Sequence, residues 1–335
     1  MVSKQSLSFL SSQQAFKDFL SSLKSLVKDR FISNPAIVYI KSSDHQLTCE
    51  KSGIEFNVKI LESLGAKPSA TKETFSTGEK KDNPFLPPFE EGQFITDLLS
   101  EHRMIFNKYC VCDEHVLVIT KEFESQLVPL CVEDFKNALM VCKALEAMLF
   151  FNCGYNSGAS IPHKHMQVIP YKGFQGYCLP IEEAAKRHYQ TLPTRAASFE
   201  LPAFSNIKHQ FLSLKEAGIS FFTEEIEMEN PEELLTSQAT ILQQAYTKTL
   251  EDLGYSGKSE SRHDDYNLIL MREFLLIVMR RQEGVKHSDD PKKNIMVNSL
   301  GYAGTIAVKN VESLEYLREL GPITVLEAIA KPKVI

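Results

Sequence analysis

Apolar residues recur at helical spacing in several stretches of the chain. Close to the N-terminus, one stripe predicts an amphipathic helix, with polar residues separating Phe16, Phe19, Leu20, Leu23, Leu26 and Val27. A second stripe predicts a helix over residues 132–151, and a third helix is expected over residues 231–253. A last pair of helices is expected near the C-terminus, broken where Gly321 precedes Pro322.

Strand patterns lie between these helices. Strands are predicted within residues 104–120, whose second half is rich in β-branched residues, and at 266–271, 274–279 and 305–308. Residues 163–170 are also expected to form a strand. Because the strands and helices follow no regular βαβ order, the pattern favours an α+β fold over a doubly wound one.

Polar and proline-rich segments mark the connections. The lysine-rich residues 67–83 predict a loop, and the three prolines that follow within residues 83–90 exclude a regular helix. The polar, turn-rich residues 192–201 are the candidate boundary between an N-terminal and a C-terminal region.

The composition is that of an ordinary globular chain, with 335 residues, 43% hydrophobic and 24% charged. A net charge of −6 argues against a general nucleic-acid binder, and no apolar run approaches the roughly 20 residues of a membrane span. The N-terminal segment lacks the pattern of a signal peptide, and seven scattered cysteines fit a reducing compartment. We therefore expect a cytoplasmic protein that binds neither nucleic acid nor membranes.

Cys110 and Cys112 could form half of a metal site, but no second cysteine pair completes it, so no protein-held metal is expected.

The stretch NSGASIPHKHMQVIP, residues 156–170, carries the candidate chemistry. In a strand, His163, His165 and Gln167 share one face. The small residues before them allow close backbone approach and suit an oxyanion such as phosphate. Two histidines on one face can serve metal binding, acid–base catalysis or nucleophilic attack on phosphorus. Glutamine is a poor metal ligand, whereas attack on phosphorus becomes attractive when the leaving group is a nucleotide phosphate.

The string HKHMQ resembles the H-x-H-x-Q signature of the galactose-1-phosphate uridylyltransferase branch of the histidine-triad superfamily. The longer string NSGAS…PHKHMQ is similar to the diadenosine tetraphosphate (Ap4A) phosphorylases, also called ATP adenylyltransferases. Residues 83–90, 106–130 and 298–310 resemble further blocks of that family in the expected order, so the similarity spans roughly residues 56–329.

The resemblance implies a fold and a division of the chain. The expected fold is histidine-triad-like, a mainly antiparallel sheet flanked by helices. Residues 1–195 would form the catalytic region with the H-x-H-x-Q motif. Residues 196–335 would form an ATP adenylyltransferase region that completes the nucleotide site.

The resemblance also implies a reversible reaction, in which Ap4A and phosphate give ATP and ADP through an AMP–histidine intermediate. His165 would be the nucleophile, His163 would shape the strand and pocket, and Gln167 would bond the transferred phosphate. The implied substrate-binding residues are Lys67, Asn107, Lys108, Asn152, Gly158, Ala159, Ser160, Ile161, Asn298, Ser299, Leu300, Thr305 and Lys309.

The implied partners are small nucleotides: Ap4A, ATP, ADP, AMP and phosphate. No tightly bound cofactor is expected, although Mg²⁺ or a similar ion would accompany the polyphosphate. A monomer or a weak homo-oligomer is expected.

Two positions depart from the family pattern, since Ile161 stands where glutamine is frequent and Thr305 where methionine is expected. The alternative functions are hydrolysis of dinucleoside polyphosphates, ADP-sulfate adenylyl transfer, hexose-1-phosphate uridylyl transfer and a non-catalytic nucleotide sensor. Asn107 could instead cap a turn, and Lys67 and Lys309 could be solvated surface lysines.

Overall fold

The computed structural model describes residues 9–61, 83–110, 112–222, 230–257 and 264–333. The predicted loop at Lys67 lies outside the described residues. The helices are α1 (Gln13–Phe31), α2 (Val132–Leu145), α3 (Pro180–Thr191), α4 (Pro231–Asp252), α5 (Ser299–Ala303), α6 (Val311–Leu320) and α7 (Pro322–Ile329).

The strands are β1 (Val38–Tyr39), β2 (Ser42–Cys49), β3 (Ile54–Leu61), β4 (Phe94–Asp97), β5 (His102–Phe106), β6 (Tyr109–Cys110), β7 (Val116–Thr120), β8 (Ala147–Cys153), β9 (His165–Pro170), β10 (Ser198–Phe199), β11 (His209–Ser213), β12 (Tyr266–Leu270), β13 (Phe274–Met279), β14 (Gly284–Val285), β15 (Ile295–Met296) and β16 (Thr305–Val308).

A nine-stranded antiparallel sheet forms the centre of the protein. Its strand order is β10-β11-β13-β12-β8-β9-β7-β5-β4. Strands from both sides of the predicted boundary at residue 195 therefore share one sheet, through the pairing of β8 with β12. The α+β architecture with a mainly antiparallel sheet is confirmed.

The two faces of this sheet bury different layers. One face packs against α1, α2 and α4, with Phe16, Phe135 and Tyr246 in its core. The other face packs against a three-stranded sheet, ordered β16-β3-β2, and against α3, α5, α6 and α7. Both faces of the central strands are apolar, which is why these strands appear in the sequence as continuous hydrophobic runs.

The predicted helix over residues 132–151 is wrong after Leu145. The helix ends at Leu145, and Glu146 adopts a left-handed conformation with φ of 49°. The Glu146 N–H donates to the carbonyl oxygens of Cys142 and Lys143, which closes the helix. The apolar run that follows, AMLFFNC, is the fully buried strand β8. Periodicity alone cannot distinguish such a run from a buried helix.

The other predicted elements are confirmed within a few residues. They include the helices α1 and α4, the C-terminal pair α6–α7, and the strands β9, β12, β13 and β16. Among the helices of the described ranges, none combines the length and apolarity needed to cross a bilayer.

Candidate active site

The strand β9 and the residues just before it carry the candidate catalytic side chains. His165 and Gln167 pair with Ile119 and Leu117 of β7. The Phe85 ring packs against both histidine rings. The centroids of the rings are 5.9 Å apart for His163 and 5.0 Å apart for His165. Both histidines therefore lie on one face, as the alternation of the strand predicts.

The imidazole of His165 is held in one tautomer. Its Nδ1 lies 2.8 Å from the carbonyl oxygen of His163, which can only accept, so Nδ1 carries the proton. The ring is buried, with 4% of the residue exposed. The nitrogen lone pair then lies on Nε2, and this is the arrangement that a nucleophilic imidazole requires.

Gln126 fixes the backbone on which His165 stands. Its Oε1 accepts from the His165 N–H at 2.7 Å. Its Nε2 donates to the carbonyl oxygens of Asn152 at 2.9 Å and His165 at 3.1 Å. One fully buried amide thus bridges β8 and β9 beyond the pair of Phe150 with Gln167, at the end of their ladder. This role could not be predicted from the sequence, because Gln126 lies in a polar loop.

Lys164 anchors the opposite face of the same strand. Its Nζ lies 2.7 Å from Oδ2 of Asp134 and 3.0 Å from Oε1 of Glu124, and only 1% of its side chain is exposed. His102 bonds the second carboxylate oxygen of Asp134 at 2.8 Å. Burial opposes the charge of Asp134, but the His102 hydrogen bond and the Lys164 charge hold its pKa below the ordinary value. The residue between the two histidines therefore cannot shift easily along or across the sheet.

His163 is enclosed and uncharged near neutral pH. Its Nε2 donates to the carbonyl oxygen of Thr120 at 2.9 Å, and its Nδ1 accepts from Nδ2 of Asn83 at 2.9 Å. Burial lowers the pKa of His163 to about 4. Both ring nitrogens are engaged with protein groups, so His163 supports the strand and presents its own carbonyl to His165.

This burial predicts a loss of stability in mild acid. The pKa of His163 is about 4 in the folded protein and 6.5 in the reference state, so below pH 6.5 the unfolded chain takes up the proton first. The free energy of unfolding should therefore fall by about 3 kcal/mol between pH 6.5 and pH 4 on account of His163. Chemical denaturation of the wild-type protein and of His163→Gln at stepped pH measures this contribution. An equal fall in both proteins would contradict it.

The backbone of the loop before β9 has a conformation that lets neighbouring segments approach it closely. Gly154 and Gly158 have φ values of 90° and 86°, which favour glycine, and residues Tyr155–Ser157 form a single tight helical turn. A side chain at Gly158 would come within 3.0 Å of the Cβ of Asn298. The loop therefore lies directly against the start of α5. The Asp265 carboxylate accepts from the Asn156 N–H at 2.6 Å and fixes the loop's other end.

Asn152 joins the two halves of the chain beside this loop. Its Oδ1 accepts from Asn267 Nδ2 at 2.8 Å, from Ser299 Oγ at 2.7 Å and from the Ser299 N–H at 3.1 Å. The register that pairs Phe150 with Gln167 places Asn152 opposite His165. The Nδ2 of Asn152 is buried and has no acceptor among the described residues. A phosphoryl oxygen next to His165 would supply that acceptor.

The buried Arg280 stabilises the same contact between the two halves of the chain. One of its terminal nitrogens, Nη1, donates to Asn267 Oδ1 and to the Ser157 carbonyl, and the other, Nη2, donates to the Val297 carbonyl at 2.9 Å. The guanidinium thus ties β12, the glycine loop and the segment before α5 together. Arg280 and Asn267 were missed from the sequence, although an arginine closing the apolar strand FLLIVM is an unusual signal.

The remaining predicted residues fall into two groups. Ala159 is buried, Ile161 packs against the cluster of Phe85, Ile105, Leu117 and Ile119, and Asn298 caps α5 by accepting from the Leu300 N–H at 3.0 Å. Asn298 also lies against Gly158, and Ser160 is half-buried in the loop that leads to the histidine strand.

The second group is bonded to other protein groups or open to solvent. Lys108 pairs with Glu90 at 2.6 Å, and the amide of Asn107 bonds to the His115 ring and accepts from the Tyr109 N–H. Thr305 is buried where β16 pairs with β3, and Lys309 is exposed. In the part of the chain that the structure describes, no group of three histidine, cysteine or acidic residues could hold a metal ion.

Comparison with known proteins gives the same picture at the level of the whole chain. A family model described as the Ap4A phosphorylase N-terminal domain matches residues 20–187. A second model, described as the ATP adenylyltransferase C-terminal domain, matches residues 201–332. Diadenosine 5',5'''-P1,P4-tetraphosphate phosphorylase 2 of Saccharomyces cerevisiae is 28% identical over 318 residues, covering 89% of this chain and 90% of the relative. The Saccharomyces cerevisiae protein APA1 is 27% identical over 323 residues, with the same coverage.

The fold matches that of a solved yeast enzyme. The crystal structure of yeast Ap4A phosphorylase Apa2 superimposes with a TM-score of 0.67 at 22% identity, covering 94% of this chain and 99% of that one. The complex of that enzyme with Ap4A superimposes with a TM-score of 0.66 at 23% identity, with the same coverage.

The fold, the histidine strand and these matches define an enzyme that transfers nucleotidyl groups. Within that class the chain belongs to the Ap4A phosphorylase family, whose N-terminal model matches half of it.

Proposed function

We propose that this protein catalyses the reversible phosphorolysis of Ap4A to ATP and ADP through an AMP intermediate on His165. The observation that carries the proposal is the tautomer of His165. Its Nδ1–H is committed to the His163 carbonyl at 2.8 Å, so Nε2 carries the lone pair. In a chain of the Ap4A phosphorylase family, that nitrogen is the group suited to attack phosphorus.

The first step forms the covalent intermediate. The Nε2 of His165 attacks the α-phosphorus of one adenosine, and the bond from that phosphorus to the bridging oxygen breaks. The electron pair of this bond leaves with ATP, a weakly basic anion that needs little help from a general acid. The Nδ1–H bond to the His163 carbonyl stabilises the cationic imidazole that develops.

The second step regenerates the enzyme. An oxygen of inorganic phosphate attacks the same phosphorus, the nitrogen–phosphorus bond breaks, and ADP leaves. The imidazole recovers its lone pair on Nε2. The same two steps run backwards from ATP and ADP, so the reaction is reversible.

The surrounding polar groups suit the charge of the transferred phosphoryl. The Asn152 amide, opposite His165 in the register of β8 and β9, presents an Nδ2 that has no acceptor among the described residues. The absence of a side chain at Gly158 lets the loop backbone lie close to Asn298. Gln167 can donate a hydrogen bond but cannot titrate, so it stabilises the intermediate without activating water. Lys67, outside the described residues, would meet the distal phosphates, and Mg²⁺ or a similar ion would arrive with the polyphosphate.

A phosphate-dependence experiment tests the proposal. Ap4A is incubated with the protein and Mg²⁺, with and without phosphate, and the products are resolved by ion-exchange chromatography. ATP and ADP should form in equal amounts, and only when phosphate is present. AMP and ATP released at the same rate in phosphate-free buffer would identify a hydrolase. If adenosine phosphosulfate reacts instead, the enzyme is an ADP-sulfate adenylyltransferase.

The cysteines support a reducing location. No two of the seven are joined by a disulfide in the described part of the chain, and burial raises the pKa of Cys110 and Cys112 to about 12. A chain with seven cysteines and no disulfide suits a reducing compartment such as the cytoplasm.

A further inference from the structure

A directional chain of hydrogen bonds runs across three neighbouring strands to Gln167. The Tyr109 N–H lies 3.2 Å from Oδ1 of Asn107, at the end of β5. Nδ2 of Asn107 lies 3.2 Å from Nδ1 of His115, just before β7. Nε2 of His115 lies 3.1 Å from Oε1 of Gln167 on β9.

The direction of each bond follows from the atoms at its two ends. A backbone N–H only donates, so Asn107 turns its Oδ1 towards Tyr109 and its NH₂ towards His115. That NH₂ lies 3.2 Å from Nδ1 and 3.3 Å from Nε2 of His115, so the distances alone do not choose the accepting nitrogen. Nε2 also faces Oε1 of Gln167 at 3.1 Å, and an amide oxygen only accepts, so Nε2 carries the proton and donates it to Gln167. Nδ1 is then the nitrogen that accepts from Asn107.

This chain decides which end of the Gln167 amide is available to a ligand. Oε1 is occupied by the His115 N–H, so the NH₂ group, which only donates, remains. The oxygens of a phosphoryl group only accept, and the NH₂ matches them. An attacking water must instead donate its proton to an acceptor, and the amide in this orientation offers none.

We propose that His115 is a positioning residue that fixes the Gln167 amide with its donor towards the transferred phosphoryl, and thereby favours phosphate over water as the acceptor. This inference rests on the proposed function. His115 does not touch the reacting atoms. It is 3% exposed, and its ring lies 6.3 Å from that of Phe150, so its geometry is set by the core. A second bond, from the Asn107 N–H to the His115 carbonyl at 3.0 Å, fixes the two backbones.

The test measures how the intermediate partitions between phosphate and water. His115→Phe keeps a ring of similar size but removes the contacts to Asn107 and to Gln167, so Gln167 can rotate and present Oε1. The ratio of AMP to ADP formed from Ap4A at saturating phosphate should rise about tenfold, since an oriented hydrogen bond to a charged group is lost. His115→Gln supplies a donor and an acceptor, and it should restore the ratio to within about threefold of the wild type.

A double-mutant cycle separates positioning from damage to the fold. In a Gln167→Met background, His115→Phe should change the ratio no further, because His115 acts through Gln167. Asn107→Leu leaves His115 in place but removes the amide that orients it, so it should also raise the ratio of AMP to ADP. This variant provides the test if His115→Phe does not fold. An unchanged ratio in the folded single variants, or additive effects in the cycle, would overturn the role of His115. Failure of the wild-type protein to form ADP would instead overturn the proposed function.

Discussion

Replacing His165 by alanine is expected to reduce Ap4A phosphorolysis by at least about 1,000-fold, because the proposed covalent step uses the Nε2 of His165 as its nucleophile. The two-step route also predicts chemical rescue. His165→Gly should regain AMP transfer when imidazole is supplied, since a free imidazole can occupy the vacated space and attack phosphorus. The measurement is the rate of ATP formation from Ap4A with and without added imidazole.

Two matched variants control for loss of histidine elsewhere. His163→Ala should retain small but measurable activity, because it removes support for the strand and not the bond-forming nitrogen. His45→Ala, on the smaller sheet, should have no effect. Trapping with radiolabelled Ap4A, followed by alkaline digestion and peptide mapping, should locate AMP on His165. Label on His163, or undiminished label on the His165→Ala protein, contradicts the assignment.

Gln126→Met should also cause a large loss, although Gln126 touches no reacting atom. The substitution preserves side-chain length but leaves the His165 N–H and two carbonyl oxygens without their partner. We expect kcat to fall by about 100-fold, since a displacement of about 1 Å in a catalytic group costs that much. The free energy of unfolding should fall by about 2–4 kcal/mol from the buried, unsatisfied backbone groups.

The control for this variant is Gln14→Met, at an exposed position of α1. It makes the same chemical change and should alter neither kcat nor stability. Steady-state kinetics and chemical denaturation of both variants are compared with the wild type. A Gln126→Met protein with kcat within about threefold of the wild type would show that β9 needs no such bridge.

The strand-level features of the site were accessible from local pattern. The alternation in HKHMQVIP placed both histidines on one face, and the small residues before them predicted a close-approach loop. The α+β class followed from the order of elements. The helix predicted over residues 132–151 failed because AMLFFNC is apolar throughout, and only the left-handed Glu146 separates it from α2.

The residues that support the site could not be predicted, because their roles depend on contacts between distant segments. Gln126 lies 39 residues from His165, and Asn267 lies 115 residues from Asn152. His115 was seen only as part of a strand block, and Arg280 not at all. Each is polar and buried, and each is hydrogen-bonded to groups that become neighbours only when the sheet is complete.

The pairing of β8 with β12 also has a consequence for biosynthesis. On the ribosome, β8 is finished at Cys153, but its partner β12 begins only at Tyr266, roughly 100 residues later. At about 5–20 residues per second, the emerging chain carries the apolar edge of AMLFFNC without its final neighbour for roughly 5–20 s. Such an edge is a template for pairing with another chain, so truncated or slowly translated copies should aggregate or require a chaperone. The tendency of the truncated chain to aggregate is measured by the fluorescence of an aggregation reporter fused after residue 195, compared with one fused after residue 335.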